Sequence, residues 1–277
     1  MQVDELLERY EAGERMFRAV NLIGVDLGGV DLSEAVLVRA NLQDTNFINA
    51  NLTQVNFREA KLMGVDLSDA NLMEANLIGA NLTEAKFDRA NLMGSNLRGS
   101  SSKLVSLAQA NLTDANLTEA NLAEANFVKA NLTNATLIRT NLMKANLTGA
   151  ILEGANLTNV ILRESILEKA NLINAILSGA LLIGANFSEA DMSRVTMIGA
   201  DLSDANLSGV NLRAANVSWT TLRGANLSRA RLYRTKLSWS NLSGANLMEA
   251  VLLDTRLDRA NLRDADIRGA ILPDRRE

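Results

Sequence analysis

Residues 115–127 read ANLTEANLAEANF, a five-residue unit Ala-Asn-Leu-x-x that repeats without a gap. Working outward, the same frame runs from Phe17 to Leu272. Every fifth residue is a large apolar side chain, and Ser102 is the only polar exception. Two residues before each stands a small residue, nearly always Ala, Val, Thr or Ser, and one residue before is usually Asn or Asp. A repeat this regular sets the architecture before any other feature is considered.

The period excludes an α-helix. At about 100° per residue, five residues advance about 500°, so the Leu positions would spiral around the surface and form no stripe. A strand puts residues i−2 and i on one face. The unit therefore reads as a three-residue strand with Ala and Leu inward and Asn outward, followed by a two-residue corner. Fifteen of the 17 glycines occupy the second position after the Leu, where a type II turn needs a positive φ. Corners without Gly are expected to use other turns. All six Phe (17, 47, 57, 87, 127, 187) fall on alternate sides of such a coil, and Trp219 and Trp239 stand twenty residues apart at one repeat position. Both observations suit four repeats, or 20 residues, per coil, and about 13 coils stacked about 4.8 Å apart. Ala and Leu sharing a narrow interior leave no room for a ligand cavity, and the outward Asn column can form ladders between coils.

The chain is similar to the pentapeptide-repeat family, whose unit is written A(D/N)Lxx, over 17–272. The resemblance implies a right-handed, quadrilateral, all-β helix. Around it the expected organisation is a short capping α-helix in 1–15, one β-helix over 16–272, and a charged tail at 273–277. The cap follows from Val3, Leu6, Leu7 and Tyr10 at helical spacing, Asp4 and Glu5 in the first turn, and Gly13 to end it. At 99–107, Ser102 replaces the core Leu, and Leu104 is expected to swing inward with a local bulge.

Composition narrows the chemistry. The chain has no Cys and no His, which removes disulfides, thiolate catalysis and Cys- or His-based metal sites. No cofactor or metal is expected. No run of about 18 apolar residues exists, and the acidic start MQVDELLERYEAGER does not read as a signal peptide, so the expected location is cytoplasmic. The Asn-Leu-Thr and Asn-Leu-Ser sequons, as at Asn51, Asn111 and Asn226, are by-products of the repeat. Outward carboxylates such as Glu34, Glu74, Glu119 and Glu124 read as a solvated face, because a catalytic pair would need a cleft. The expectation is a protein that is not an enzyme.

Charge is uneven. The whole chain is net −4, yet residues 205–248 carry six bases and no acid. That segment also holds Trp219, Tyr233 and Trp239. On a 20-residue coil Trp219 lies beneath Trp239, with Arg213, Arg231, Arg234 and Lys236 nearby. Arginine and aromatic residues together favour binding hot spots, so these seven residues are the expected partner surface, for an acidic protein. A second candidate is apolar: Ile161 and Leu181 stand in the outward Asn column, with Ile183 beside them. The segments LLERYEAGERMF and AILPD resemble uninterrupted cytoplasmic cyanobacterial members of the family, including a heterocyst-development regulator. That resemblance implies a scaffold or regulatory protein presenting flat faces to another protein. The alternative it raises is a DNA-mimicking modulator of DNA gyrase, from which this chain departs by its basic segment and by lacking projecting loops and a C-terminal dimerisation helix. A third reading is nucleic-acid binding through 205–248. The partner itself is not named by the sequence.

Overall fold

In a regular repeat, every backbone N–H must find a partner once the Leu is buried. The repeat Asn51–Val55 shows how this is met. Asn51 N–H donates to Val30 O (2.8 Å), Leu52 N–H to Asn71 O (2.7 Å) and Gln54 N–H to Met73 O (2.8 Å), all in neighbouring coils. Val55 N–H closes the corner onto Leu52 O (3.1 Å). The fifth, Thr53 N–H, donates to the side-chain Oδ1 of Asn51 (3.3 Å). The repeat Asn206–Val210 does the same, with Ser208 N–H on Asn206 Oδ1 at 3.2 Å. Asn or Asp precedes the Leu because its oxygen serves the one N–H that faces neither coil.

The computed structural model describes residues 1–273, so 274–277 of the expected tail lie outside the described residues. The chain forms two compact units, Met1–Thr140 and Asn141–Glu277. The first opens with α1, Val3–Glu11, and continues as coils joined by parallel bridges at an offset of twenty, such as Asn51↔Asn71. The second consists of coils with the same offset, such as Asn206↔Asn226. Within each, the Leu or Phe of the repeat and its small partner are buried together, as at Ala50 and Leu52 or Ala185 and Phe187.

Helix α1 ends as its sequence suggests. Gly13 has φ +93°, and the N–H groups of Ala12, Gly13 and Glu14 return to the carbonyls of Glu8, Tyr10 and Arg9. Leu6 is its one fully buried residue. The helix is fixed to the first coils by the Tyr10 hydroxyl, which donates to Ser33 O (2.9 Å), and by the Arg9 guanidinium 5.6 Å from the Phe17 ring centre.

Two expectations are overturned. Corners without Gly do not use other turns: every corner from position 19 to 269 has a positive φ, whether it carries Gly, Glu, Arg, Leu104 or Trp. A left-handed conformation costs an L-residue about 1–2 kcal/mol. The chain accepts this because the corner N–H must reach the next coil, as Gln54 reaches Met73. Nor does Leu104 swing inward. It remains 45% exposed at its corner, with φ +60° and its N–H on Ala123 O (3.1 Å). The bridges Asn81↔Ser101 and Ser101↔Asn121 continue without a bulge. Coils on either side hold the register, so the ladder outweighs the burial of one Leu.

Several polar residues that face inward bond to carbonyls of the preceding coil, although the buried Ser95 hydroxyl has no partner among the described residues. The Thr45 hydroxyl donates to Leu22 O (2.7 Å), Thr235 to Leu212 O (2.7 Å) and Ser240 to Val217 O (2.6 Å). The Asn ladder exists in runs, for example Asn226 Nδ2 to Asn206 Oδ1 (3.3 Å) and Asn246 Nδ2 to Asn226 Oδ1 (3.1 Å).

Ser102 and Ser100 are both buried, their hydroxyl oxygens 2.8 Å apart, between coils that carry Leu82 and Leu122 at the equivalent place. Replacing Ser102 by Leu and Ser100 by Ala together removes a buried polar pair and restores an apolar side chain. The double variant is expected to be more stable by about 2 kcal/mol, read as a higher melting temperature. A lower one would mean that the interior there cannot accept the side chain.

Candidate functional site

The backbone ladder sets outward side chains in columns twenty residues apart, and the surface of residues 205–259 follows from that. Arg231 is on a strand, bridged to Asn211 on one side and Val251 on the other. Tyr233 follows it and is half-buried, with the guanidinium groups of Arg234 at 4.9 Å and Arg213 at 5.7 Å from its ring centre. Asn211, Arg213, Arg231, Tyr233 and Val251 line an open depression of about 540 Å³.

The seven expected residues do not all come together. Trp219 and Trp239 stack at a corner, ring centres 4.8 Å apart and planes within 5°. The cation on this stack is Arg259, whose guanidinium is 4.3 Å from the Trp239 ring centre. Among the described residues no ring or cation contact joins the stack to Tyr233. Lys236 is exposed on the strand between, bridged to Asn216 and Arg256. Arg259 was missed because it lies outside the acid-free segment, although its position twenty residues after Trp239 was the available signal.

The basic segment is also less basic in space than in sequence. Arg229 pairs with Glu249 (2.8 Å) and Arg234 with Asp254 (3.6 Å), acids one coil further on. Arg213, Arg231 and Lys236 make no ion pair within 4 Å among the described residues, so positive charge concentrates at the depression and along the strand of Lys236.

The apolar candidate is a half-buried column. Ile161 and Leu181 are bridged neighbours, but both are half-buried, as is Ile183. The more exposed outward residues are Ile151, Ile166 and Ile176. On a 20-residue coil these three stand on three different sides, and the Ile161–Leu181 column on the fourth. Outward apolar residues therefore occur on all four sides, and Ile161 and Leu181 are stacked on one of them.

Three of the four carboxylates noted from the sequence, Glu74, Glu119 and Glu124, tie coils together. Glu74 accepts from Gln54 Nε2 (2.7 Å), Glu124 pairs with Lys103 (3.2 Å), and Glu119 pairs with Arg139 and Arg98. The Arg139 hydrogen bond holds the Glu119 carboxyl below its usual pKa. Among the described residues no group of three or more Asp or Glu is placed to hold a metal ion, and no helix is long and apolar enough to cross a membrane. An apolar pocket of about 210 Å³ lies at the last described coils, between Leu247 and Pro273.

Coils of four short strands with parallel neighbours at an offset of twenty make a β-helix, and its right-handed, four-sided form is that of the family to which the repeats assign it. The chain belongs to the pentapeptide-repeat family: the profile of pentapeptide repeats matches eight segments, 17–54, 40–77, 60–99, 110–149, 140–179, 175–213, 211–247 and 235–272. Proteins of this family are in general structural or regulatory and not enzymatic. Among solved structures, the chain is similar to HetL of the cyanobacterium Nostoc sp. strain PCC 7120, a pentapeptide repeat protein involved in heterocyst differentiation regulation. The two are 32% identical over 99% of this chain and 98% of that one, with a TM-score of 0.38. Rfr23 of the cyanobacterium Cyanothece 51142 is 25% identical over 63% of this chain and 98% of its own, with a TM-score of 0.20. A trypsin-treated form of QnrB1, a plasmid-mediated fluoroquinolone resistance protein, is 15% identical over 92% of this chain and 90% of its own, with a TM-score of 0.24. No curated protein matches the chain.

Both Trp side chains are outside the core, so the Trp219→Ser, Trp239→Ser double variant should lose only their mutual stacking and the Arg259 contact, about 1–2 kcal/mol in all. A thermal melt checks this. A collapse of the melt would mean that the pair supports the coils.

Proposed function

We propose that this protein is a non-enzymatic scaffold or regulatory protein that docks a protein partner through the Tyr233 depression and the neighbouring Trp219–Trp239 corner. One observation carries the reading. Arg213 and Arg231 line a concave surface with Tyr233 and have no carboxylate within ion-pair distance among the described residues, whereas nearby Arg229 and Arg234 are both paired. Unpaired guanidinium groups beside an aromatic ring suit the carboxylates of a partner, through paired, charge-assisted hydrogen bonds. The ladder holds the backbone beneath them rigid, so binding would order little more than side chains. Flat faces built of short strands suit such a presenting role.

The test is affinity for a partner captured from the native cell, wild type against Arg213→Glu with Arg231→Glu. The double variant should keep its melting temperature and bind at least about tenfold more weakly, since charge reversal at an anchor typically exceeds 1.4 kcal/mol. Added salt should weaken the wild type in the same direction. Unchanged affinity would remove this surface from the function. Supercoiling by DNA gyrase is expected to be unaffected at micromolar protein, and DNA-competitive inhibition would replace the docking reading with the mimic. Retention of nucleic acid in place of protein would replace it with the third reading.

A further inference from the structure

The tryptophan corner is a column whose layers are filled except one. Its residues, twenty apart, are Asn159, Gly179, Gly199, Trp219, Trp239 and Arg259. Trp239 is covered on both faces, by the indole of Trp219 and by the guanidinium of Arg259. At Gly179, the amide oxygen of Asn159 reaches up to where a Cβ would stand. At Gly199 no atom lies within 4 Å of that point. The face of Trp219 turned away from Trp239 therefore looks into an open layer floored by Gly199. Trp219 is accordingly the more exposed of the pair, 59% against 44%.

We infer that this slot on the free face of Trp219, above Gly199, takes an arginine side chain of a protein partner, stacked as Arg259 is stacked on the far end. Two features of the corner select that chemistry. The other end of the same indole stack already holds a guanidinium, at 4.3 Å, so the geometry of the column suits one. The charge also changes sign at this layer. Residues 185–204, the coil below the tryptophans, carry Glu189, Asp191, Asp201 and Asp204 against Arg194 alone. Asp201, two residues beyond Gly199, is bridged to Thr221 and follows the corner directly. Of these acids, Asp201 and Asp204 lie on the side that follows the Gly199 corner, one layer below Arg223, whereas Asp191 belongs to the column of Asn211 and Arg231; a cation entering the slot low on that side meets Asp201 and Asp204. The inference rests on the reading of this corner as part of a docking surface, and it adds that the partner brings an arginine to the slot as well as carboxylates to the depression.

The chain's only two tryptophans are the stack itself, so fluorescence excited where indole absorbs and tyrosine does not reports this corner alone. The probes are short blocked peptides carrying arginine, lysine or citrulline at one position, titrated at constant ionic strength. The arginine peptide should change the emission saturably. The lysine peptide lacks the planar group and the citrulline peptide lacks the charge, so both should do so far more weakly. Equal responses to all three, or a response to citrulline alone, would overturn the guanidinium assignment. Gly199→Arg should fill the slot from within and abolish the response. Arginine already occupies this left-handed corner at Arg89, Arg139 and Arg259, so the backbone accepts it. Gly199→Ala leaves the slot open, at a conformation already adopted by Ala19 and Ala214, and should keep the response. A wild-type response in Gly199→Arg, or its loss in Gly199→Ala, would overturn the proposal. The comparison of peptides on the unaltered protein stands even where a variant fails to fold. Because no captured partner is needed, an arginine response can hold while the docking reading fails at Arg213 and Arg231, and the two failures are separately visible.

Discussion

Everything in this protein depends on the closure of five backbone N–H groups per repeat. Three donate to neighbouring coils, one closes the corner, and one is met by the Asn or Asp oxygen, as in Asn51–Val55. Where Asn or Asp precedes the Leu no donor of such a repeat is left over, and a corner that relaxed would orphan the N–H it directs to the next coil, at a cost of about 1–3 kcal/mol. That is comparable with the cost of a left-handed residue, and loss of register would orphan several donors at once. The ladder therefore imposes positive φ on charged, aliphatic and aromatic residues alike. Trp219 at φ +62° and Trp239 at φ +65° are at their corner because the coil requires that geometry, whatever their own preferences.

Much of this was legible in the repeat. The five-residue period gave inward Ala and Leu, the glycine positions gave the corner, and the spacing of Phe and Trp gave the 20-residue coil. The helix at Val3–Glu11 was readable from its apolar spacing and Gly13. Corners without Gly were misread because a single residue's preference was weighed and the shared ladder was not. Leu104 was misread for the same reason: local logic favours filling the space beside Ser102, but its N–H is already committed to Ala123. The sequence suggested what each residue would choose alone, and the coils above and below decided what it does.

The surface was harder to read, because its neighbours are twenty residues apart and a linear window cannot see them. An acid-free stretch from 205 to 248 looks uniformly basic, yet Glu249 and Asp254 pair with Arg229 and Arg234 from the next coil. Arg259 joins the tryptophans from beyond the same boundary. Reading in columns also sorts the outward apolar residues: Ile161 and Leu181 share one side, and Ile151, Ile166 and Ile176 fall on the other three. Composition windows suit folds in which sequence neighbours share a surface. Here a residue's lateral neighbours are at offsets of twenty.

The same periodicity separates what holds the fold from what is free to recognise a partner. Pairs such as Arg39–Glu59 and Arg89–Asp69 run along columns, and hydrogen bonding to arginine holds both carboxyls below their usual pKa. These groups are solvent-exposed, so the ties are weak and screened by salt. Folded-state pKa values lowered in this way give stability that is present above the unfolded carboxylate pKa and lost as pH falls through the lowered value. The ladder carries no titrating main-chain group and does not share that dependence. Outward side chains can therefore change with little consequence for the coil, provided that each keeps the corner conformation. A basic depression and an indole stack can be placed on neighbouring columns of one frame, and neither is obliged to contribute to the core. Interaction chemistry on this fold is thus chosen one outward position at a time, and the backbone beneath it stays the same.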